Sequence, residues 1–196
     1  VDVRGGAPGT SETDLLAPGN LIGQVHAALL SGGSAFGLSA SAGVMKYLEE
    51  QGIGYQKGPI TIPIVPSAIL FDLNLVTQAV RPGPEEGYSA CLSRSSEAVP
   101  EGTIGAGTGA TVGKALGMGR AVKGGIGTCS MKLPNGTTVG AIVAVNSFGS
   151  IVNHRTGTVI AGPRSADGAE CLDSLDLLVS GDYPQENPLP TNTAIG

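Results

Sequence analysis

A mixed α+β fold is what this sequence predicts, and three observations carry the prediction. Stretches that read as β-strands outnumber those with helical periodicity, of which there are three. The two kinds do not alternate regularly, as a parallel βαβ fold would require. Glycine supplies 32 of 196 residues, about 16 % against an average near 7 %. The glycines follow no period and apolar runs separate them, which excludes collagen and a disordered linker. They suggest sheets with close backbone approaches and many turns of positive φ. With 196 residues the chain is long enough for one sizeable core and reads as a single domain, 1–196.

Taken in order, Leu21–Leu30 is an apolar run between Pro18-Gly19-Asn20 and Gly32-Gly33, which predicts a buried strand with His26 as a satisfied core residue. Ser34 is expected to cap a helix that runs to about Gln51 and stops at Gly52. Its inward stripe is Gly37, Ser41, Val44, Met45 and Leu48, with Lys46, Glu49 and Glu50 outside. Ile60–Val65 and Ala68–Leu75 read as strands broken at Pro66, and a second helix spans about Glu85–Ala98. Ile104–Val112 and Ile126–Leu133 are small-residue strands. Thr137–Val145 is a β-branched one, entered through the turn Pro134-Asn135-Gly136. Ile151–Val152 and Val159–Ala161 flank a turn that puts His154 on the surface. A third helix, about Asp167–Val179, should bury Leu172, Leu175, Leu178 and Val179 and end at Gly181. A Pro-rich linker, residues 182–192, follows.

Composition removes several classes of function. Charged residues make up 14 % of the chain and the net charge is −5, with no basic cluster. Nucleic acid and anionic membrane surfaces, which need a Lys/Arg footprint, are therefore excluded as partners. No apolar run approaches the roughly 18–20 residues of a membrane-spanning helix. Cys91, Cys129 and Cys171 are odd in number and far apart, without CxxC spacing. They read as buried small hydrophobes in a reducing, cytoplasmic compartment rather than a disulfide framework or zinc site. Two histidines are too few for a His-based metal cluster. The GxGxxA in Gly105–Ala110 lacks both a preceding strand and the acidic residue expected about twenty positions on. Lys114 is followed by Ala115, where a phosphate-binding loop needs Ser or Thr. Neither metal nor cofactor is expected.

The last six residues, Thr191-Asn192-Thr193-Ala194-Ile195-Gly196, have the pattern of a self-cleavage junction. A hydroxyl at Thr193 could attack the carbonyl of Asn192 and leave Thr193 as a new N-terminus. Such a residue combines a nucleophile with an α-amine of pKa roughly 7.7–8.0 that can accept its proton. By itself the pattern is that of a solvated, partly ordered chain end, common wherever chains stop. The chain opens without Met at Val1-Asp2-Val3-Arg4 and stops within another apolar run, so it reads as an internal piece of a longer protein.

Six blocks decide between those alternatives: Gly32–Leu38, Val65–Leu73, Gly105–Lys114, Lys123–Thr128, Val139–Asn146 and Asn192-Thr193. Together, in this order and from one end of the chain to the other, they resemble the L-aminopeptidase/D-esterase (DmpA-like) family of self-processing peptidases. That family includes β-aminopeptidases and nylon-oligomer hydrolases. The resemblance implies an α/β (α+β) fold, a four-layer αββα sandwich of the DmpA/ArgJ type, similar to N-terminal-nucleophile hydrolases. It further implies a precursor cut once between Asn192 and Thr193, with this chain as its α part and Thr193 opening a β chain. Lys114 matches a catalytic lysine of the nylon-oligomer branch, and Asn146 matches the asparagine beside the nucleophile. Relatives with characterised sites often carry Tyr where this chain has Phe71, which leaves Phe71 at best as a pocket wall.

An ammonium beside the terminal amine would lower its pKa, and a side-chain amide can donate to an oxyanion. The expected function is hydrolysis of a small peptide or amide through a Thr193 acyl-enzyme. The expected partners are the β chain of the same precursor and further αβ pairs in a homo-oligomer. Two other readings fit the same sequence: acyl transfer of the ornithine acetyltransferase type on the same fold, and a non-enzymatic Gly-rich structural module.

Overall fold

Two units organise the chain in the computed structural model, which describes residues 1–73, 75, 77–184 and 191–196. The first joins Val1–Leu70 with Thr77–Ala98, and the second joins Phe71–Val76 with Val99–Gly196. Both mix strands and helices, and the α+β class holds. Of the expected linker, residues 185–190 lie outside the described residues, as does Asn74 within the expected strand Ala68–Leu75.

The first unit contains, in chain order, β1 (Thr10–Ser11), β2 (Leu29–Ser31), α1 (Ala40–Glu50), β3 (Tyr55–Lys57), β4 (Ile60–Ile62), β5 (Ser67–Ile69) and α2 (Pro84–Leu92). β5 pairs antiparallel with β1 and parallel with β2, while β3 and β4 form a separate hairpin. The buried strand expected over Leu21–Leu30 shrinks to β2, and Leu21 is 99 % exposed. Its partner β5 has only three residues to offer after Pro66. Upstream, the chain is held by His26, whose N–H donates to the Ile64 carbonyl and whose Nδ1 accepts from the Ile64 N–H, both at 3.0 Å. His26 is satisfied as expected, though half-buried.

The first expected helix begins as a 3-10 turn, Ser34–Ser39, before α1. Ser34 does not cap it: its φ is +54°, and no side-chain cap bond forms at this end. Gly37, Val44 and Leu48 of the expected stripe are buried, Ser41 and Met45 half-buried, and Tyr47 joins them. Val44, Tyr47, Leu48 and Val65 form the core of this unit, each aliphatic member contributing about 1.5–3 kcal/mol by burial. Cys91 packs against them half-buried. α1 and α2 cross closely because Gly43 has no side chain; a Cβ there would lie 1.8 Å from the Pro84 carbonyl oxygen. α2 ends at Leu92 rather than near Ala98. Ser95 Oγ accepts from the Glu97 N–H at 3.0 Å, a local turn that competes with helix. Arg94 meanwhile lies 5.3 Å from the centre of the Tyr47 ring and donates to its hydroxyl.

The second unit contains β6 (Thr111–Val112), β7 (Val122–Lys123), β8 (Gly125–Lys132), β9 (Thr138–Asn146), β10 (Ile151–Val152), β11 (Val159–Ala161), α3 (Ser174–Ser180) and β12 (Thr193–Ile195). β8 and β9 pair antiparallel from Gly125↔Val145 to Lys132↔Thr138. β12 pairs antiparallel with the other edge of β9, β6 with β7, and β10 with β11. The strand expected over Ile104–Val112 is instead a 3-10 turn, Gly105–Gly107, followed by β6. With Gly at 105, 107 and 109, this stretch offers little side chain to hold a pleated surface.

α3 is shorter than expected because Ser165, Asp167 and Gly168 form their own turn: Asp167 Oδ1 accepts from Ser165 Oγ at 2.5 Å and from the Ala169 N–H at 3.1 Å. The helix starts at Asp173, whose carboxylate accepts from the Leu175 N–H at 2.9 Å. It ends at Gly181 with φ +80°, as expected. Its expected inward face is not inward: Leu175, Leu178 and Val179 are exposed. Cys129 and Cys171, expected to be buried, are exposed as well.

Candidate active site

β6 delivers Lys114 to the interior of the second unit through a bend at Gly113. The bend has φ +71°, and a Cβ there would lie 2.3 Å from the Gly162 carbonyl carbon, so the position requires glycine. The N–H groups of Gly113 and Lys114 donate to the carbonyls of Gly149 and Phe148, at 3.0 and 2.7 Å, which fixes the backbone on both sides of the bend. As a result Lys114 is 2 % exposed, where an unpaired ammonium would be costly.

Its nitrogen has three acceptors. Nζ donates to the Asn146 carbonyl at 2.9 Å, to Asn146 Oδ1 at 2.8 Å and to the Thr191 carbonyl at 3.0 Å. An ammonium has three N–H donors, so this geometry suits the charged form. Burial acts the other way and lowers the Lys114 pKa to about 8.

Asn146, the last residue of β9, is 1 % exposed. Besides Lys114, its Oδ1 accepts from the Thr111 N–H at 3.0 Å and from the Thr111 hydroxyl at 3.3 Å. Its Nδ2 donates to the Phe71 carbonyl at 2.7 Å and to the Thr191 hydroxyl at 3.4 Å. Flipping the amide would set NH₂ against the Thr111 N–H and the Lys114 ammonium, and oxygen against the Phe71 carbonyl. The orientation is therefore determined from both ends.

The expected junction pairs with the same strand. In the pairing of β12 with β9, Thr193 stands opposite Asn146, Ala194 opposite Val145 and Ile195 opposite Ala144. Directly opposed residues share a face, so the Thr193 and Asn146 side chains project together, on the face where Ile195 and Ala144 are buried. Asn192 is exposed, and its Oδ1 accepts from the Phe148 N–H at 3.0 Å.

Thus Lys114, Asn146, Asn192 and Thr193 come together at the end of β9. Phe71 joins them through its backbone carbonyl, while its ring is half-buried. Two residues not assigned a role from sequence complete the cluster: Thr111, which donates twice to Asn146, and Thr191, which accepts from both Lys114 and Asn146. Among the described residues, no group of three His, Cys, Asp or Glu side chains could hold a metal ion, and no helix is long and apolar enough to cross a membrane.

Comparison with known proteins adds a family. The sequence pattern of peptidase family S58 matches residues 1–184. A protein named as an uncharacterized aminopeptidase of Mycobacterium leprae is 48 % identical over 80 % of this chain and 43 % of its own length. A protein of the same name in Mycobacterium tuberculosis is likewise 48 % identical, with the same two shares. The 6-aminohexanoate-oligomer endohydrolase of Paenarthrobacter ureafaciens is 34 % identical over 83 % of this chain and 42 % of its own. The chain spans less than half the length of these relatives.

Proposed function

Because the chain belongs to peptidase family S58, we propose that it forms the α part of a self-processing N-terminal-nucleophile amidohydrolase. Thr193 is its nucleophile, and its junction lies between Asn192 and Thr193. The observation that carries this reading is the register of β12 on β9. It sets the Thr193 side chain on the same face as Asn146, whose amide is in turn bonded to the buried Lys114.

Self-cleavage proceeds as an N→O shift followed by hydrolysis. The Thr193 Oγ1 forms a bond to the Asn192 carbonyl carbon, the bond from that carbon to the Thr193 nitrogen breaks, and the hydroxyl proton passes to the departing nitrogen. Water then cleaves the ester, leaving a carboxylate at Asn192 and a free α-amine and hydroxyl on Thr193. In turnover the same hydroxyl attacks the amide of a substrate, the α-amine relays its proton to the leaving amine, and water clears the acyl-enzyme. Lys114 places positive charge near the α-amine and holds its pKa down. Asn146 donates an N–H to the oxyanion once the Thr191 hydroxyl has withdrawn from it, a contact of a kind typically worth about 3 kcal/mol in barrier.

The substrate class is an amide bond after a small N-terminal residue, in peptides or synthetic amides. The names of the relatives, aminopeptidase and 6-aminohexanoate-oligomer endohydrolase, support amide chemistry. The same reading takes the complete protein as a four-layer αββα sandwich whose α and β parts pair and assemble into homo-oligomers. In the full-length protein, Thr193→Ala should remain a single uncut chain on a denaturing gel, whereas the parent yields a fragment whose N-terminal sequence begins at Thr193. Cut chains in the Thr193→Ala protein would contradict the role of the hydroxyl.

A further inference from the structure

The two residues before the proposed junction are held by side-chain and backbone hydrogen bonds. The Thr191 carbonyl accepts from Lys114 Nζ at 3.0 Å, its hydroxyl accepts from Asn146 Nδ2 at 3.4 Å, and Asn192 Oδ1 accepts from the Phe148 N–H at 3.0 Å. On the other side of the junction, the β12 ladder fixes Thr193 through Ile195. We propose that Thr191 and Asn192 form a clamp that positions the Asn192 carbonyl for attack, so that their side chains set the rate of self-cleavage without taking part in its chemistry.

This inference rests on the self-processing reading. An attack between adjacent residues needs the carbonyl carbon and the hydroxyl held in a near-attack arrangement, and the chain joining them is otherwise free to rotate about its backbone dihedrals. Three hydrogen bonds upstream and a ladder downstream remove that freedom from both sides. The clamp also gives Asn146 different tasks at different times. While Thr191 occupies one of its N–H groups and the Phe71 carbonyl the other, Asn146 positions the junction. Only after cleavage, when Thr191 can leave, does an N–H become free for an oxyanion.

The requirement at Asn192 is an acceptor at Oδ1, since its partner is a backbone N–H that can only donate. The requirement at Thr191 is a hydroxyl together with a backbone carbonyl, which no substitution removes. Conservative and disruptive changes therefore separate cleanly. Asn192→Asp keeps the acceptor and Asn192→Leu loses it; Thr191→Ser keeps the hydroxyl and Thr191→Val loses it.

The test is a time course of cell-free synthesis of the full-length protein, with the appearance of cut chains followed on denaturing gels. Loss of one hydrogen bond in the positioned state corresponds to roughly a 3- to 10-fold change in rate. Asn192→Leu and Thr191→Val should each slow cleavage by about that factor, while Asn192→Asp and Thr191→Ser stay within about twofold of the parent. Cleavage of Asn192→Leu and Thr191→Val at the parent rate would overturn the clamp and leave self-processing intact. An Asn192→Asp protein as slow as Asn192→Leu would also overturn it, because the side-chain nitrogen rather than the acceptor would then matter. A parent protein that stays uncut would overturn both the clamp and the reading beneath it.

Discussion

Lys114 is a charged group kept from solvent, and its protonation couples the site to stability. Its pKa in the folded chain is lowered to about 8 by burial, against 10.5 for an ordinary lysine. Between those two values the unfolded chain binds a proton that the folded chain does not, so stability must rise with pH across that window. Below about pH 8 the folded state carries the whole penalty, on the order of 3 kcal/mol. The ammonium is retained there because its three N–H donors meet three acceptors. In Lys114→Met the titrating group is gone. Urea melts of parent and Lys114→Met proteins from pH 7 to 10.5 should therefore show the parent gaining on the variant as pH rises, by up to about 3 kcal/mol. A constant difference across that range would mean that burial does not depress this lysine.

At the scale of elements, the bend after β6 converts a short strand into a device that aims a side chain. Gly113→Ala combines a left-handed backbone angle with a Cβ placed 2.3 Å from the Gly162 carbonyl carbon. The expected loss is about 2–4 kcal/mol, together with displacement of Lys114. Gly127, inside β8, has nothing within 4 Å of its would-be Cβ and no positive φ. Gly127→Ala should therefore be neutral or slightly stabilising, by up to about 1 kcal/mol. Chemical denaturation of both variants checks the contrast, and equal effects would refute it.

The same two glycines show what the sequence could and could not convey. β8 and β9 were legible to within a residue, because apolar patterning and a Pro-Asn-Gly turn are local properties. The Ile104–Val112 strand was not, since glycine reports permission for many conformations without choosing one. Helix periodicity found α3 but misjudged its environment: spacing identifies a common face and says nothing of what covers it. In the site, motif resemblance pointed to Lys114, Asn146 and the junction, and the fold brings them together. Thr111 and Thr191 could not be singled out, because a threonine that will bond to a buried amide, as donor or as acceptor, carries no mark of it in the sequence.

At the scale of the whole molecule, self-cleavage would turn one polypeptide into two and leave the nucleophile at the end of the second. Among the described residues, those that would then attach Thr193 to its surroundings include β12, three positions paired with the edge of β9. Ile195 anchors them, 9 % exposed and opposite Ala144, which is fully buried. A cut protein should therefore migrate as one species under native conditions and separate into two chains only in denaturant. Ile195→Asp would bury a carboxylate without a partner and weaken the pairing by several kcal/mol, on the order of 2–4. Because Thr193 faces Asn146 only while this register holds, turnover by the proposed mechanism should fall at least tenfold in the same variant, by loss of the position of Thr193 rather than of its chemistry. Native mass spectrometry and an amidase assay on one preparation test both halves. Two chains that part without denaturant while activity persists would show that β12 does not hold the nucleophile in place.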